Sequence, residues 1–286
     1  MRRFFLIPLM TLLTCVMAWG HNGHTSQQSG DVAKVVLWSE DPDDPWGDPI
    51  VTTVYFSNIS DALSAATSST DDPFPHERTI TLLKNVDASS TTWTDEFSQD
   101  LVFDLNGKTL AMNIIYNIWG GNKLTIKNGT FNGTLDYGEY SKGCFYLEGG
   151  ANGLAGTITC NVSNYYQSTC YYYLNSGTIS ANLTFSNTSS KNTTVHVKTL
   201  VTGNIVNGDN NISIQLNMAG TSNDALAKIT GNITLNNNGK LYMGNYSETT
   251  GTVTMNTGST FTVGSASANV KCNLVKNEGT TSFSNG

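Results

Sequence analysis

The chain has 286 residues, only 13% of them charged, and a formal net charge of −7. About a quarter of the residues of a soluble domain are usually charged. The deficit is filled by Asn, Thr, Ser and 27 Gly, which argues against charge-driven disorder, a coiled coil and a nucleic-acid binder that must neutralise phosphates with Lys and Arg.

Arg2 and Arg3 precede an uncharged apolar run from Phe4 to Met17, followed by Ala18-Trp19-Gly20. This pattern reads as a secretory signal peptide over 1–20, too short for a good membrane span. A second reading is a lipoprotein anchored at Cys15, since Leu12-Leu13-Thr14-Cys15 is similar to a lipobox; Thr14 departs from the usual small residue. The mature chain is therefore expected to be secreted or at the cell surface, with no membrane span. Cys144, Cys160, Cys170 and Cys272 would then meet an oxidising compartment.

Residues 21–55 form a flexible, acidic lead-in with room for a strand. Fifteen acids fall between Asp31 and Asp104 against Lys34, Arg78 and Lys84. Asp41, Asp43, Asp44 and Asp48 invite a calcium reading, but they lack the spacing and distal Glu of an EF-hand loop, and a solvated Pro-stiffened loop competes with it. Next, Ile59, Ala62, Leu63 and Ala66 lie on one stripe of a helix that Asn58 or Ser60 can cap. Ile80, Leu82 and Val86, then Leu101, Phe103 and Leu105, read as strands.

From residue 129 a Gly-Thr/Asn unit, usually followed by an apolar or β-branched residue, returns at Gly129, Gly156, Gly177, Gly203, Gly231, Gly251 and Gly279. These glycines recur on average every ~25 residues, a period in the range of repeat architectures. Short β-rich runs such as Leu183-Thr184-Phe185 and Ile212-Ser213-Ile214 sit between Asn/Gly clusters. A recurring period without helical periodicity indicates a β-solenoid, with residues 56–286 as its body. A β-sandwich of many short strands is the rival and does not require the recurring unit.

The runs Ser60–Ala66, Thr79–Val86, Phe103–Leu110 and Leu124–Phe131 resemble the opening of right-handed parallel β-helix proteins. The likeness is to the pectate-lyase-like superfamily, above all to exported surface proteins of Bacteroides-type bacteria. It covers residues 55–135 and continues only as a period. It implies an all-β, right-handed parallel β-helix with an N-terminal capping helix near 60–66.

Enzymes of that fold gather carboxylates with Arg, Lys or His on successive coils. Here the best cluster is Asp136, Glu139 and Lys142, a candidate for acid/base work on a glycan that competes with a plain solvated loop. No cofactor and no metal centre is indicated. Trp119, Tyr165 and Tyr166, with Tyr171-Tyr172-Tyr173 nearby, are candidate sugar-stacking residues, although aromatics also simply favour strands. Thr157/Thr159, Thr252/Thr254 and Thr260/Thr262 hint at an ice-binding face but do not recur in every coil. Ten Asn-x-Ser/Thr sequons run from Asn58 to Asn245, little above the number expected by chance. Cys144-Phe145-Tyr146 and Cys170-Tyr171-Tyr172 look like copies separated by close to one mean coil, which predicts Cys144 and Cys170 at one position of adjacent coils, as a disulfide or a thiol pair.

The expectation is a secreted or cell-surface β-solenoid with a structural or adhesive role. Its partners would be host or bacterial surface glycans or proteins, and not nucleic acid. A polysaccharide lyase or glycoside hydrolase is the alternative.

Overall fold

A computed structural model describes residues 23–39, 50–67, 78–95, 100–116, 122–138, 143–163, 169–189, 191–208, 211–216 and 226–283. The chain winds into a parallel β-solenoid of about eight turns with one short helix.

Two sheets run along the solenoid. Sheet I begins with an antiparallel pair, Ala33–Ser39 and Ile50–Phe56, where the sequence suggested one strand at most. Ala33–Ser39 also pairs antiparallel with Arg78–Leu82. From there sheet I is parallel, through Leu101–Asp104, Lys123–Lys127, Cys144–Glu148, Thr169–Leu174, Asn192–Val197, Ile212–Leu216, Lys240–Met243, Thr260–Val263 and Thr280–Phe283. Sheet II stacks Val86–Asp95, Thr109–Tyr116, Gly129–Tyr137, Leu154–Val162, Asn182–Asn187, Ile205–Asn207, Ile233–Leu235, Thr252–Met255 and Asn273–Lys276 in parallel. In later turns a short third side, such as Thr178–Ile179 or Ala227–Ile229, joins sheet II.

The helix Ile59–Thr67 packs on the first strands and buries Ile59, Ala62, Leu63, Ala65 and Ala66. Asn58 caps it. Its Oδ1 accepts the Asp61 N–H at 2.8 Å, and its Nδ2 donates to the Asp61 carboxylate at 2.6 Å, so two donors are satisfied reciprocally. At the other end, the buried Arg78 guanidinium donates to the Ala66 carbonyl at 2.9 Å. Helix and antiparallel pair together cover the first parallel strand of sheet I, where an open edge would otherwise invite pairing with another chain.

Strand alternation puts one apolar column after another inside. Phe145 and Leu147, Tyr172 and Leu174, Val195 and Val197, and Ile214 and Leu216 are all fully buried. The core is ring-rich around Tyr137, Phe145 and Tyr172. Phe145 stacks on Tyr172 at 5.3 Å, while Tyr137 meets both edge-on at 4.9 and 5.2 Å. The Tyr172 hydroxyl lies 2.9 Å from the Asn161 carbonyl and 3.1 Å from that of Leu135, so a buried polar group is not left unpaired. At the last described turn the inward position is open to solvent. Val253 is fully buried, whereas its neighbour Leu274 is 41% exposed.

The repeating glycines occupy more than one structural position. Gly156, Ala181, Gly203, Gly231, Gly251 and Cys272 share a column at the start of sheet II, at intervals that differ from turn to turn. Gly129 instead faces Leu154. Gly177 sits in a turn at φ 68°, against the backbone of Gly149 and Gly150. The period of ~25 read from sequence is therefore slightly too long, since this column advances by about 23 residues per turn, and the single repeat unit is a blend of positions.

Outside sheet II two uncharged columns run side by side. One is Asn132, Thr157, Asn182, Asn204, Asn232, Thr252 and Asn273; the other is Thr134, Thr159, Thr184, Val206, Thr234, Thr254 and Val275. From Thr134 onward a β-branched residue thus recurs in each of these turns, which the Thr-x-Thr pairs alone did not reveal. Asn side chains tie turn to turn. The Oδ1 atoms of Asn132, Asn182, Asn204 and Asn232 accept the backbone N–H of Thr157, Asn204, Asn232 and Thr252 at 3.0–3.2 Å.

Candidate functional site

Among the described residues, the outer face of sheet I brings phenol, imidazole, amide and ammonium groups together. Because Phe145/Leu147, Tyr172/Leu174 and Val195/Val197 point inward, the residues between them point out. Pairing aligns Tyr146, Tyr173, His196, Gln215, Tyr242 and Thr262 in one column. Beside it run Lys123, Cys144, Tyr171, Thr194, Ser213, Lys240 and Thr260.

The first three members of the column form a ladder. Tyr146 stacks on Tyr173 with centroids 4.7 Å apart at 15°, and Tyr173 stacks on His196 at 4.9 Å and 14°. Tyr171 flanks them at 6.2 Å from Tyr173 and 5.8 Å from His196. Lys123 and Lys198 lie 5.7 Å from the ring centroids of Tyr146 and Tyr173, in cation–π range. Burial pushes the Tyr173 hydroxyl up to about 12, and burial, helped by Lys198, pulls His196 below its ordinary value. Tyr173 and His196 are therefore neutral at pH 7. From Tyr171 onward these two columns hold no Asp or Glu among the described residues.

Further along the face lies a shallow depression of about 200 Å³, lined by Ser213, Gln215, Lys240, Leu241, Tyr242, Thr260 and Thr262. Gln215 Nε2 donates to Ser213 Oγ at 3.3 Å. The phenol end of Tyr242 sits over Gly264, where a Cβ would come within 1.9 Å of the hydroxyl oxygen. That close approach requires glycine.

Several sequence candidates lie outside the described residues: Trp119, Tyr165, Tyr166, Glu139, Lys142, Asp41, Asp43, Asp44 and Asp48. Asp136 is described, and it stands on sheet II rather than on the aromatic face. Its Oδ2 accepts from Asn161 Nδ2 at 3.1 Å and Ser163 Oγ at 2.9 Å, and Asn161 in turn accepts from Ser186. Burial raises its pKa, and no other charged group among the described residues contributes to the shift. Among those residues no three His, Cys, Asp or Glu side chains gather as a metal centre would need. No described helix is long and apolar enough to cross a membrane.

The cysteine register requires correction. The strands of Cys144 and Cys170 are neighbours, but Cys144 pairs with Tyr171, one residue away from the expected partner. A one-residue slip moves a side chain to the other face. Cys170 is accordingly fully buried in the core, while Cys144 sits half-buried on the outer face, and the two are not joined by a disulfide. The inward leucines carry the signal that sets this register: Leu147 and Leu174 do pair, and their separation in sequence exceeds that of the two cysteines by a single position.

The outer ladder was missed as a unit because His196 shares no motif with the tyrosines; only the register joins them. No protein family, curated protein or solved structure matches the chain.

Proposed function

We propose that this chain is an exported β-solenoid, secreted or held at the cell surface, with a structural or adhesive role and no catalysis, and that it binds glycans on the outer face of sheet I. One observation carries the reading: Tyr146, Tyr173, His196 and Tyr242, with Tyr171 beside them, stand in register on an outward face whose later turns hold no carboxylate among the described residues. Neutral rings interleaved with amide, hydroxyl and ammonium groups match the alternation of C–H faces and hydroxyls on a sugar. The leader pattern at 1–20 supports export. Asp136, tied into a side-chain ladder on the other sheet, gives the enzymatic alternative no support.

The test is a glycan array probed with the purified chain from residue 21. Binding to a defined subset is expected. The double variant Tyr173→Ala/Tyr242→Ala should lose it, and Thr184→Lys on sheet II should keep it. Loss in Thr184→Lys with retention in the double variant would place binding elsewhere, and a blank array would sink the reading. Sequencing the N-terminus of protein recovered from culture medium or cell envelope tests the export half.

A further inference from the structure

Within that glycan-binding reading, on which this step rests, we infer that Tyr242 is the platform on which a sugar stacks, in place of the Tyr146–Tyr173–His196 ladder. The sugar it takes is a pyranose whose ring substituents are all equatorial, presented in an extended β-linked chain.

The ladder is occupied by itself. One face of Tyr173 is covered by Tyr146 at 4.7 Å and the other by His196 at 4.9 Å, while Lys123 lies over Tyr146. What these rings offer outward is their edges. Stacking of a sugar requires the electron-rich ring face against polarised C–H bonds.

Tyr242 stands two turns beyond His196 in the same column, between Gln215 and Thr262, and no ring of another described residue stacks on it. Gly264 lets its phenol end lie across the next turn. The ring borders a depression of about 200 Å³, the scale of a single monosaccharide, rimmed by an amide, an ammonium and four hydroxyls counting the phenol. Lys240 makes no ion pair with a described residue, so its ammonium is available to donate to sugar oxygens.

The shape of the site selects the sugar. The depression lies on a parallel sheet whose outward residues repeat turn by turn in one column, which suits an extended chain and not a kinked or branched one. Turns repeat at ~4.8 Å, close to the advance of one pyranose in an extended β-linked chain, so successive units can meet Gln215, Tyr242 and Thr262 in turn. An axial hydroxyl on the stacked face would be pressed against the phenol ring with no hydrogen-bond partner, a desolvation cost that an all-equatorial ring avoids.

The experiment is calorimetric titration of the chain from residue 21 with a β-1,4-linked glucohexaose and with its manno counterpart, which differs in the axial hydroxyl at C2. Wild type, Tyr242→Ala, Gly264→Val, which keeps the tyrosine but displaces its ring, and Tyr173→Ala are compared after circular dichroism confirms equal folding. The glucohexaose should bind to wild type, at least tenfold more weakly to Tyr242→Ala and Gly264→Val, and with a loss in Tyr173→Ala at least threefold smaller than in Tyr242→Ala. The mannohexaose should bind at least tenfold more weakly than the glucohexaose. Undiminished binding by Tyr242→Ala, loss confined to Tyr173→Ala, equal binding of the two sugars, or no binding of either overturns the inference. If the array in the preceding section is positive in those cases, glycan binding itself still stands.

Discussion

Replacing Gly231 by alanine should break the stack locally. A Cβ there would lie 2.0 Å from the Gly203 carbonyl oxygen and 2.5 Å from its carbon, both backbone atoms of the preceding turn, so no side chain can swing aside. Relief to an ordinary van der Waals contact requires the two turns to part by roughly 1.4 Å, because close-packed interiors leave no void to absorb the added methyl. Three short bonds cross at this point: Thr230 N–H to Val201 O at 2.9 Å, Ile205 N–H to Asn232 O at 2.8 Å, and Asn232 N–H to Asn204 Oδ1 at 3.0 Å. Lengthened by that amount, none remains a hydrogen bond. Losing two or three bonds at about 1 kcal/mol each, with overpacking strain of about 1–3 kcal/mol, gives a cost of about 3–6 kcal/mol. Because each turn touches only its neighbours, the damage should centre on these turns. Urea unfolding followed by circular dichroism gives the total, and hydrogen exchange at the Ile205 and Thr230 amides locates it. Gly30→Ala, where nothing lies within 4 Å of the added Cβ, is the control and should stay within about 0.5 kcal/mol of wild type. If Gly231→Ala also stays within that margin, the close-packed glycine column is not a constraint.

Other consequences are testable in the same way. Glu248, 7% exposed, pairs with Lys228 at 2.6 Å and Lys271 at 3.0 Å, and hydrogen bonds from Lys228 and then Lys271 hold its carboxyl below the ordinary value. A depressed acid stabilises above its unfolded pKa of about 4.3 and loses that contribution as pH falls through the folded value. The melting-temperature gap between wild type and Glu248→Gln should therefore be constant near neutrality and close below about pH 4; a gap that persists at pH 2.5 would be the contrary result. Non-reducing peptide mapping should yield no Cys144–Cys170 linkage, and a native thiol reagent should reach Cys144 before the fully buried Cys160 and Cys170. Tyr172→Phe removes the donor shared between the Asn161 and Leu135 carbonyls and should cost about 1–3 kcal/mol in urea unfolding. Asn58→Ala removes the helix cap and should cost about 1 kcal/mol, with no change expected in glycan binding.

How much could be read from the sequence depended on whether a signal was local or lateral. The helix was legible because Ile59, Ala62, Leu63 and Ala66 advertise their stripe within two turns, and Asn58 caps it as its chemistry suggests. The solenoid was legible because short alternating runs return with an approximate period. Register was not, since the turns between strands vary in length: the circuit from Asn204 to Asn232 is longer than the next one, from Asn232 to Thr252. Aligning the cysteines instead of the inward leucines put Cys144 one place off, and aligning every Gly-Thr/Asn unit merged Gly129 and Gly177 with a column they do not join. The aromatic face was half-visible: Tyr171-Tyr172-Tyr173 stands out, but only pairing shows that Tyr172 belongs to the core while Tyr173 meets His196 outside.

The asparagine ladder of sheet II sets folding in competition with modification. Asn132, Asn182 and Asn232 each begin an Asn-x-Thr sequon, because outward positions two residues apart are filled by one Asn column and one Thr column. In the finished solenoid each of these side chains is pinned against the amide of the following turn. A glycosyltransferase acting in a eukaryotic secretory pathway would meet a free acceptor only while that next turn is still being made. Once the turn has docked, the bond through Oδ1 locks the amide in place so that the enzyme can no longer seat it, and a sugar attached earlier to Nδ2 would crowd the junction with the following turn. Recombinant protein made in such a host should therefore separate into two populations, one unmodified with its turns stacked and one glycosylated with its solenoid interrupted at the tagged turn.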